Sequence, residues 1–176
     1  MTILTGKQIV EKKIVQNADE NQVQMCGIDM TVAKVERFLR NGIVDFDNST
    51  RKIPETQEVL IRESAIYHNG ENLPGYLLDP GCYLITFNEI VDVPSSCCGL
   101  AQPRSSLLRC GASMETAVFD PGYHGVAKCL LVVYNKNGLV LGKNAKLMQI
   151  LFEKLDEDSD KLYTGVYQNE GLCFEN

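Results

Sequence analysis

The chain offers no long apolar run, only short ones. Ile28, Met30 and Thr31 to Val35 are followed by Val59 to Ile61, Cys82 to Phe87, Ala127 to Tyr134, Leu139 to Leu141 and Lys146 to Phe152. Each run has strand length, and turn signals separate them. Many short strands imply a barrel or a sandwich. Asn137-Gly138 suits a tight hairpin, and Asp79-Pro80-Gly81 and Asp120-Pro121-Gly122 read as sharp reversals, with Pro presetting φ and Gly accepting a positive one. One short helix is expected first, over Leu4 to Ala18, where Thr5 and Gln8 form a capping box and Ile9, Val10, Ile14 and Val15 give an apolar face. Arg37 to Glu63 is polar and poorly patterned, and reads as loops around one strand. The acidic run Asp156 to Asp160 reads as a solvated loop.

A length of 176 residues fits a single domain over 1-176. The chain is 44% hydrophobic and 23% charged, too apolar for extended disorder. No segment is long enough to cross a membrane, and the N-terminus (Met1 to Thr5) lacks a basic stretch followed by a hydrophobic one, so a cytoplasmic protein is expected. A net charge of −6 argues against a broad nucleic-acid surface and leaves room for a small anionic ligand. The seven cysteines (Cys26, Cys82, Cys97, Cys98, Cys110, Cys129, Cys173) include no Cys-x-x-Cys pair. They are expected to be reduced and to serve mostly as small core residues, a vicinal Cys97–Cys98 disulfide being the minority reading.

Several active-site types fail on residue grounds. Gly138 to Asn144 has too few residues between its glycines for a P-loop, and Asn144 stands where Ser or Thr would meet Mg²⁺. A zinc deaminase needs His-x-Glu and Cys-x-x-Cys elements, which are absent. His68 and His124, the only histidines, have no nucleophile elbow to serve and read as turn or surface residues.

The informative stretch is Gln102 to Gly125. Arg104 and Arg109 set two permanent cations around the hydroxyls of Ser105 and Ser106, a pattern that suits a polyphosphate because guanidinium and hydroxyl groups donate to phosphate oxygens. A helix starting here would add free N–H groups. On spacing alone, a surface helix carrying two arginines is the better reading.

The motifs carry more than the spacing does. Arg104-Ser-Ser-Leu-x-Arg109 followed by Thr116-Ala-x-x-Asp120-Pro-Gly-Tyr123-x-Gly125 resembles the core signature of the dCTP deaminase superfamily, which includes trimeric dUTPases. Gly27-Ile28-Asp29, the strand Lys146-Leu-Met-Gln149-Ile-Leu-Phe152 and the closing Tyr163-x-Gly165-x-Tyr167-Gln168-x-x-Gly171 resemble further family elements in the same order. The archaeal-type dUTPase branch is the closest in pattern. The resemblance implies a mainly β fold, a distorted β-barrel or jelly-roll-like structure with a short N-terminal helix. It also implies a homotrimer whose sites are shared between subunits.

Carried over by position, the resemblance makes Asp120 the catalytic residue, holding the water that attacks the α-phosphorus of dUTP to give dUMP and pyrophosphate. Arg104, Ser105, Ser106 and Arg109 would grip the phosphates, Gln149 would contact phosphate or the water network, and Tyr123 would pack under deoxyribose. Thr116, Tyr163, Tyr167 and Gln168 complete the implied substrate-binding set. The cofactor would be Mg²⁺, held largely by the triphosphate and water, with Asp29 acting on it through water. Deaminase members need a glutamate on the strand after the Asp-Pro-Gly turn. Here Val126 to Tyr134 contains no carboxylate, and Leu130 or Val132 stands at that place. Val166 and Glu170 depart from the basic residue and Gln usual at those places, which implies a C-terminal clamp of different strength, whereas the missing carboxylate disfavours deamination. Hydrolysis is therefore favoured, with a bifunctional dCTP deaminase/dUTPase or a catalytically weak nucleotide-binding regulator as alternatives.

Overall fold

The structure, a computed structural model, describes residues 2–172. Met1 and Cys173 lie outside the described residues. In chain order the elements are β1 (Thr2–Ile3), α1 (Gly6–Glu11), β2 (Val15–Gln16), β3 (Val23–Gln24), β4 (Gly27–Phe38), β5 (Thr56–Glu58), β6 (Arg62–His68), β7 (Glu71–Leu78), β8 (Gly81–Asp92), β9 (Cys97–Pro103), α2 (Ser105–Arg109), β10 (Ala112–Glu115), β11 (His124–Val133), β12 (Leu139–Gly142) and β13 (Lys146–Lys154). Strands take up 50% of the chain and helix 8%, so the fold is mainly β as expected. Ten strands curl into an antiparallel half-barrel, its spine running β1-β13-β4-β8-β11-β10; β12-β7-β6 form a separate small sheet.

Alternation builds the core. Along β8, Tyr83, Ile85, Phe87 and Val91 point inward, and along β11 so do Ala127, Cys129, Leu131 and Val133. Met148, Ile150 and Phe152 of β13 are also buried, each such large side chain contributing roughly 1.5–3 kcal/mol. Strand β4 is shared: Ile28 to Thr31 pair with β13, and Val32 to Arg37 pair with β8. This change of partner bends the sheet into its curl.

One inward position of β8 is not apolar. Glu89 is fully buried, and both its oxygens accept hydrogen bonds. Oε1 takes Gln22 Nε2 at 2.6 Å and the Thr31 hydroxyl, and Oε2 takes Thr31 N–H at 3.0 Å. Gln22 Nε2 also donates to the Asp29 carbonyl at 2.7 Å. A buried carboxylate thus fastens β8 to the Asp29–Thr31 stretch of β4. Glu89→Ala strands the donors of Gln22 and Thr31 and opens a cavity, and is expected to cost about 3 kcal/mol or more. A shift of the urea midpoint at fixed protein concentration would measure it, and a loss under about 1 kcal/mol would show the network to be dispensable.

Several expectations need correction. The helix ends at Glu11, not near Ala18. Thr5 and Gln8 do form the capping box, but Ile14 N–H donates to Ile9 O, and Lys13 takes φ +56°. Val15 then pairs with Val91 of β8, so Ile14 and Val15 are buried from an extended chain and not from a helix face. Val59 to Ile61 are not a strand; they carry the chain from β5 on the large sheet to β6 on the small one. Asn137-Gly138 makes a turn, with Gly138 N–H donating to Asn135 O at 2.9 Å, yet no hairpin follows. β11 belongs to the large sheet, whereas β12 pairs with β7. Among the six described cysteines, all free, only Cys97 and Cys129 are buried, while Cys26, Cys82 and Cys110 are exposed. Burial pushes the Cys129 thiol up to about 12, so it remains an uncharged core group.

Candidate active site

Two clusters hold the residues singled out by sequence. The first forms around Asp29 on β4. Gly27 lets β4 and β13 approach closely, since a Cβ there would stand 2.5 Å from Ile150 O and 2.9 Å from Gln149 Cγ. Gln149 pairs with Asp29 across these strands. Asp29 is 2% exposed, and a buried carboxylate needs compensating donors. Its Oδ2 accepts a hydrogen bond from Gln24 Nε2 at 3.1 Å and faces two cations, Arg104 Nε at 3.4 Å and Lys146 Nζ at 3.7 Å.

Arg104 is set from both sides. Its N–H donates to Leu147 O of β13, and its carbonyl accepts from Leu108 N–H in α2. The side chain uses Nε toward Asp29 and stays 36% exposed, so a group with five N–H donors keeps others for a ligand. Leu107 is buried and pins α2, while Ser105, Ser106 and Arg109 are exposed on it. The amides at the start of this short helix lack intrahelical acceptors. Lys146 was missed as a site residue. Strict alternation would turn Lys146 and Gln149 to opposite faces, but the register shifts between Lys146 and Met148, and such a bulge re-aims a side chain.

The second cluster forms around Asp120. Tyr123 N–H donates to Asp120 O at 3.0 Å, and Gly122 takes φ +83°, so Asp120-Pro121-Gly122-Tyr123 is a turn that demands glycine at its third place. Phe119 exchanges both backbone hydrogen bonds with Gly99 of β9, which fixes the turn against the sheet, and Asp120 itself is exposed. The Tyr123 ring is buried, edge-on to Phe119 (5.9 Å) and to Tyr163 (5.5 Å). Burial pushes its phenol well above the usual tyrosine range, leaving a neutral hydroxyl.

The C-terminal segment covers this turn. Tyr163 N–H donates to Pro121 O at 2.8 Å, and the Gln168 side chain accepts from His124 N–H at 3.1 Å and donates to Gly122 O at 2.9 Å. Glu170 O accepts from Val126 N–H, and its carboxylate pairs with Lys128 at 2.7 Å. His68 and His124 lie at strand ends, as turn or surface residues should.

The two clusters do not meet within one chain. Residues 116–119 run antiparallel beside β9: Thr116 Oγ1 donates to Ala101 O, and Phe119 bridges Gly99. The chain therefore moves away from Arg104 as it approaches Asp120. Gly99 and Arg104 are five residues apart in extended chain, about 16 Å at the usual strand rise. Asp29, Arg104, Gln149 and α2 lie at one end of β9, and Asp120, Tyr123, Tyr163 and Gln168 at the other, with Thr116 between them. Leu130 and Val132 flank no acid on their own strand, but Glu115 of β10 lies directly opposite Leu130.

A protein of Methanococcoides burtonii named probable deoxyuridine 5'-triphosphate nucleotidohydrolase is 39% identical over 97% of this chain and 93% of its own. A protein of the same name from Methanosarcina mazei is 43% identical over 86% and 83%. The deoxyuridine 5'-triphosphate nucleotidohydrolase of Methanocaldococcus jannaschii is 36% identical over 89% and 94%. In fold, the chain is similar to the 2'-deoxycytidine 5'-triphosphate deaminase of Agrobacterium tumefaciens, with a TM-score of 0.62 at 19% identity over 85% of this chain, which spans about half (47%) of that longer one. Residues 3–155 match the dCTP deaminase-like family. With the half-barrel, the Arg104 cluster and the Asp120 turn all in place, the chain belongs to the dCTP deaminase-like family.

Proposed function

We propose that this protein hydrolyses dUTP to dUMP and pyrophosphate, at sites built from the Arg104 cluster of one subunit and the Asp120 turn of the next in a homotrimer. The observation that carries the reading is the pairing of a preset guanidinium clamp with an exposed carboxylate on a rigid turn, in a chain whose relatives bear the dUTP nucleotidohydrolase name. The roughly 16 Å of β9 between Gly99, which anchors the Asp120 turn, and Arg104 supports a composite site. Exposed Leu100, Leu108 and Val118 give the intervening surface the apolar character a subunit contact uses.

In this reading Arg104, Ser105, Ser106 and Arg109 bind the phosphates and offset the charge that builds on departing pyrophosphate. Asp29 keeps Arg104 in place while Lys146 helps to balance the carboxylate's buried charge, and Gln149 meets phosphate or its water. Asp120 holds the attacking water and takes its proton. Tyr123 and Thr116 shape the sugar side, and Tyr163, Tyr167 and Gln168 close over it. The residues fit a magnesium ion brought by the nucleotide: the Asp29 carboxylate, its Oδ2 directed at Gln24, Arg104 and Lys146, would act on it through water. Bound in this way Mg²⁺ neutralises phosphate charge. No helix is long and apolar enough to cross a membrane, and the proposed location is the cytoplasm.

The Glu115–Leu130 pairing favours one second reading, a bifunctional dCTP deaminase/dUTPase, because it puts a carboxylate beside the place where deaminases carry theirs. One assay decides. Supplied separately with Mg²⁺, dUTP is expected to yield dUMP and pyrophosphate and dCTP to remain undeaminated. Uracil nucleotides formed from dCTP at a comparable rate would establish the second reading, and saturable dUTP binding without pyrophosphate release would leave a nucleotide-binding regulator.

A further inference from the structure

The excursion between β4 and β5 has no part in either cluster, yet one of its side chains reaches the C-terminal segment. Ile43 and Lys52 exchange both backbone hydrogen bonds, at 2.9 and 3.0 Å, and close the tip of the excursion. Inside it, Asp45 Oδ2 accepts from Thr50 N–H and from the hydroxyls of Thr50 (2.7 Å) and Ser49 (3.3 Å), Asp47 accepts from Ser49 N–H at 3.0 Å, and Asn48 takes φ +64°. The backbone that presents Arg51 is thus braced before its side chain meets anything.

That side chain lies over the ring of Tyr167, with the guanidinium carbon 5.9 Å from the ring centroid. Among the described residues Arg51 has no carboxylate partner within 4.0 Å, whereas Arg37, Arg40 and Arg104 each have one. Arg62 and Arg109 also lack one, but among the described residues Arg51 is the arginine that lies over a ring without a carboxylate beside it. Tyr167 adjoins Gln168, whose amide bridges His124 N–H and Gly122 O, and Asn169 N–H donates to His124 O at 2.7 Å. A continuous chain of contacts therefore runs from Arg51 through Tyr167 and Gln168 to the turn that carries Asp120.

We propose that Arg51 is a positioning residue: its guanidinium, held over Tyr167 by the braced excursion, keeps Tyr163 to Leu172 seated on the Asp120 turn and so supports nucleotide binding there. The part concerning nucleotide rests on the dUTP reading; the seating of the segment does not. A cation over a partly exposed ring contributes enough for about a two- to fivefold effect, and a guanidinium stacks better than an ammonium.

The test compares Arg51→Ala, Arg51→Lys and Tyr167→Leu in the full chain. In nucleotide-free protein, deuterium exchange at the amides of Gln168, Asn169 and Glu170 is expected to rise about two- to fivefold in Arg51→Ala and by less in Arg51→Lys. KM for dUTP rises by a similar factor, with kcat within about twofold of the parent. Adding Arg51→Ala to Tyr167→Leu produces no further change, because the two act through one contact. Unchanged exchange in Arg51→Ala, or additive effects in the double variant, would overturn the proposal. A parent protein inactive on dUTP would overturn the substrate reading while leaving the exchange comparison to decide the seating.

Discussion

Asp120→Asn is expected to lower dUTP turnover by about a hundredfold or more, the usual cost of losing a general base, while nucleotide binding is largely kept. The chain contains its own control in Asp79, which also precedes Pro-Gly. The Asp79 carboxylate is exposed and pairs with Arg37 at 3.4 Å, an ion pair in water worth little. Asp79→Asn should leave turnover unchanged and alter stability by no more than about 1 kcal/mol. Single-turnover rates with matched thermal melts would separate the roles. If the two variants behave alike, or if Asp120→Asn lowers melting without touching turnover in the folded fraction, Asp120 is structural and another group must activate water.

A second large effect should appear when two dead proteins are mixed. Arg104→Ala removes the clamp and Asp120→Asn the water-activating carboxylate, so each alone should be inactive. In randomly mixed trimers, an intact clamp faces an intact Asp120 at about one site in four, and roughly a quarter of the parent activity should return on refolding them together. Asp29 keeps Lys146 and Gln24 as partners in Arg104→Ala, which favours its folding. Should it fail to fold, Arg109→Ala on the exposed face of α2 serves instead. Mixed trimers identified by mass but without activity, or a fully active monomer, would refute composite sites.

The strands most legible in sequence were those with one clear environment. β8 and β11 alternate because one face meets the core, and both were found. β9 and β10 were missed: Cys97 to Pro103 mixes glycine, polar residues and proline, and its strand character comes from pairing with β13, a partner about fifty residues away. The β6–β7 hairpin carries a local signal, since Asn69-Gly70, with φ of +51° and +87°, is a strong short-range turn pair, but the ends of the strands beside it are polar and exposed and show no apolar alternation. The tip near Arg51 is held by Asx-type hydrogen bonds, which leave no apolar period to read.

The site divides in the same way. Asp120, Tyr123 and the Arg104 to Arg109 stretch lie in contiguous motifs, so order along the chain sufficed to find them. Lys146 depends on a register shift, and Glu89 on finding a carboxylate at an inward position of an otherwise apolar strand. Neither fact is local. The partition of the proposed site into two ends of β9 could not be read from motifs at all, because motif order says nothing of distance.

That partition bears on how such a protein can change. Side chains alternate along β9, so inserting or deleting one residue would turn every later side chain to the other face. Unless a bulge like that in β13 takes up the odd residue, only pairs of residues can be gained or lost without exchanging inside for outside. The separation between the Arg104 cluster and the Asp120 turn therefore changes in steps of about 7 Å along a regular strand, longer than a phosphate-to-phosphate spacing. Drift by smaller lengths would need a bulge in β9, and new reach toward a longer or shorter substrate would otherwise come from α2 or from the turn itself.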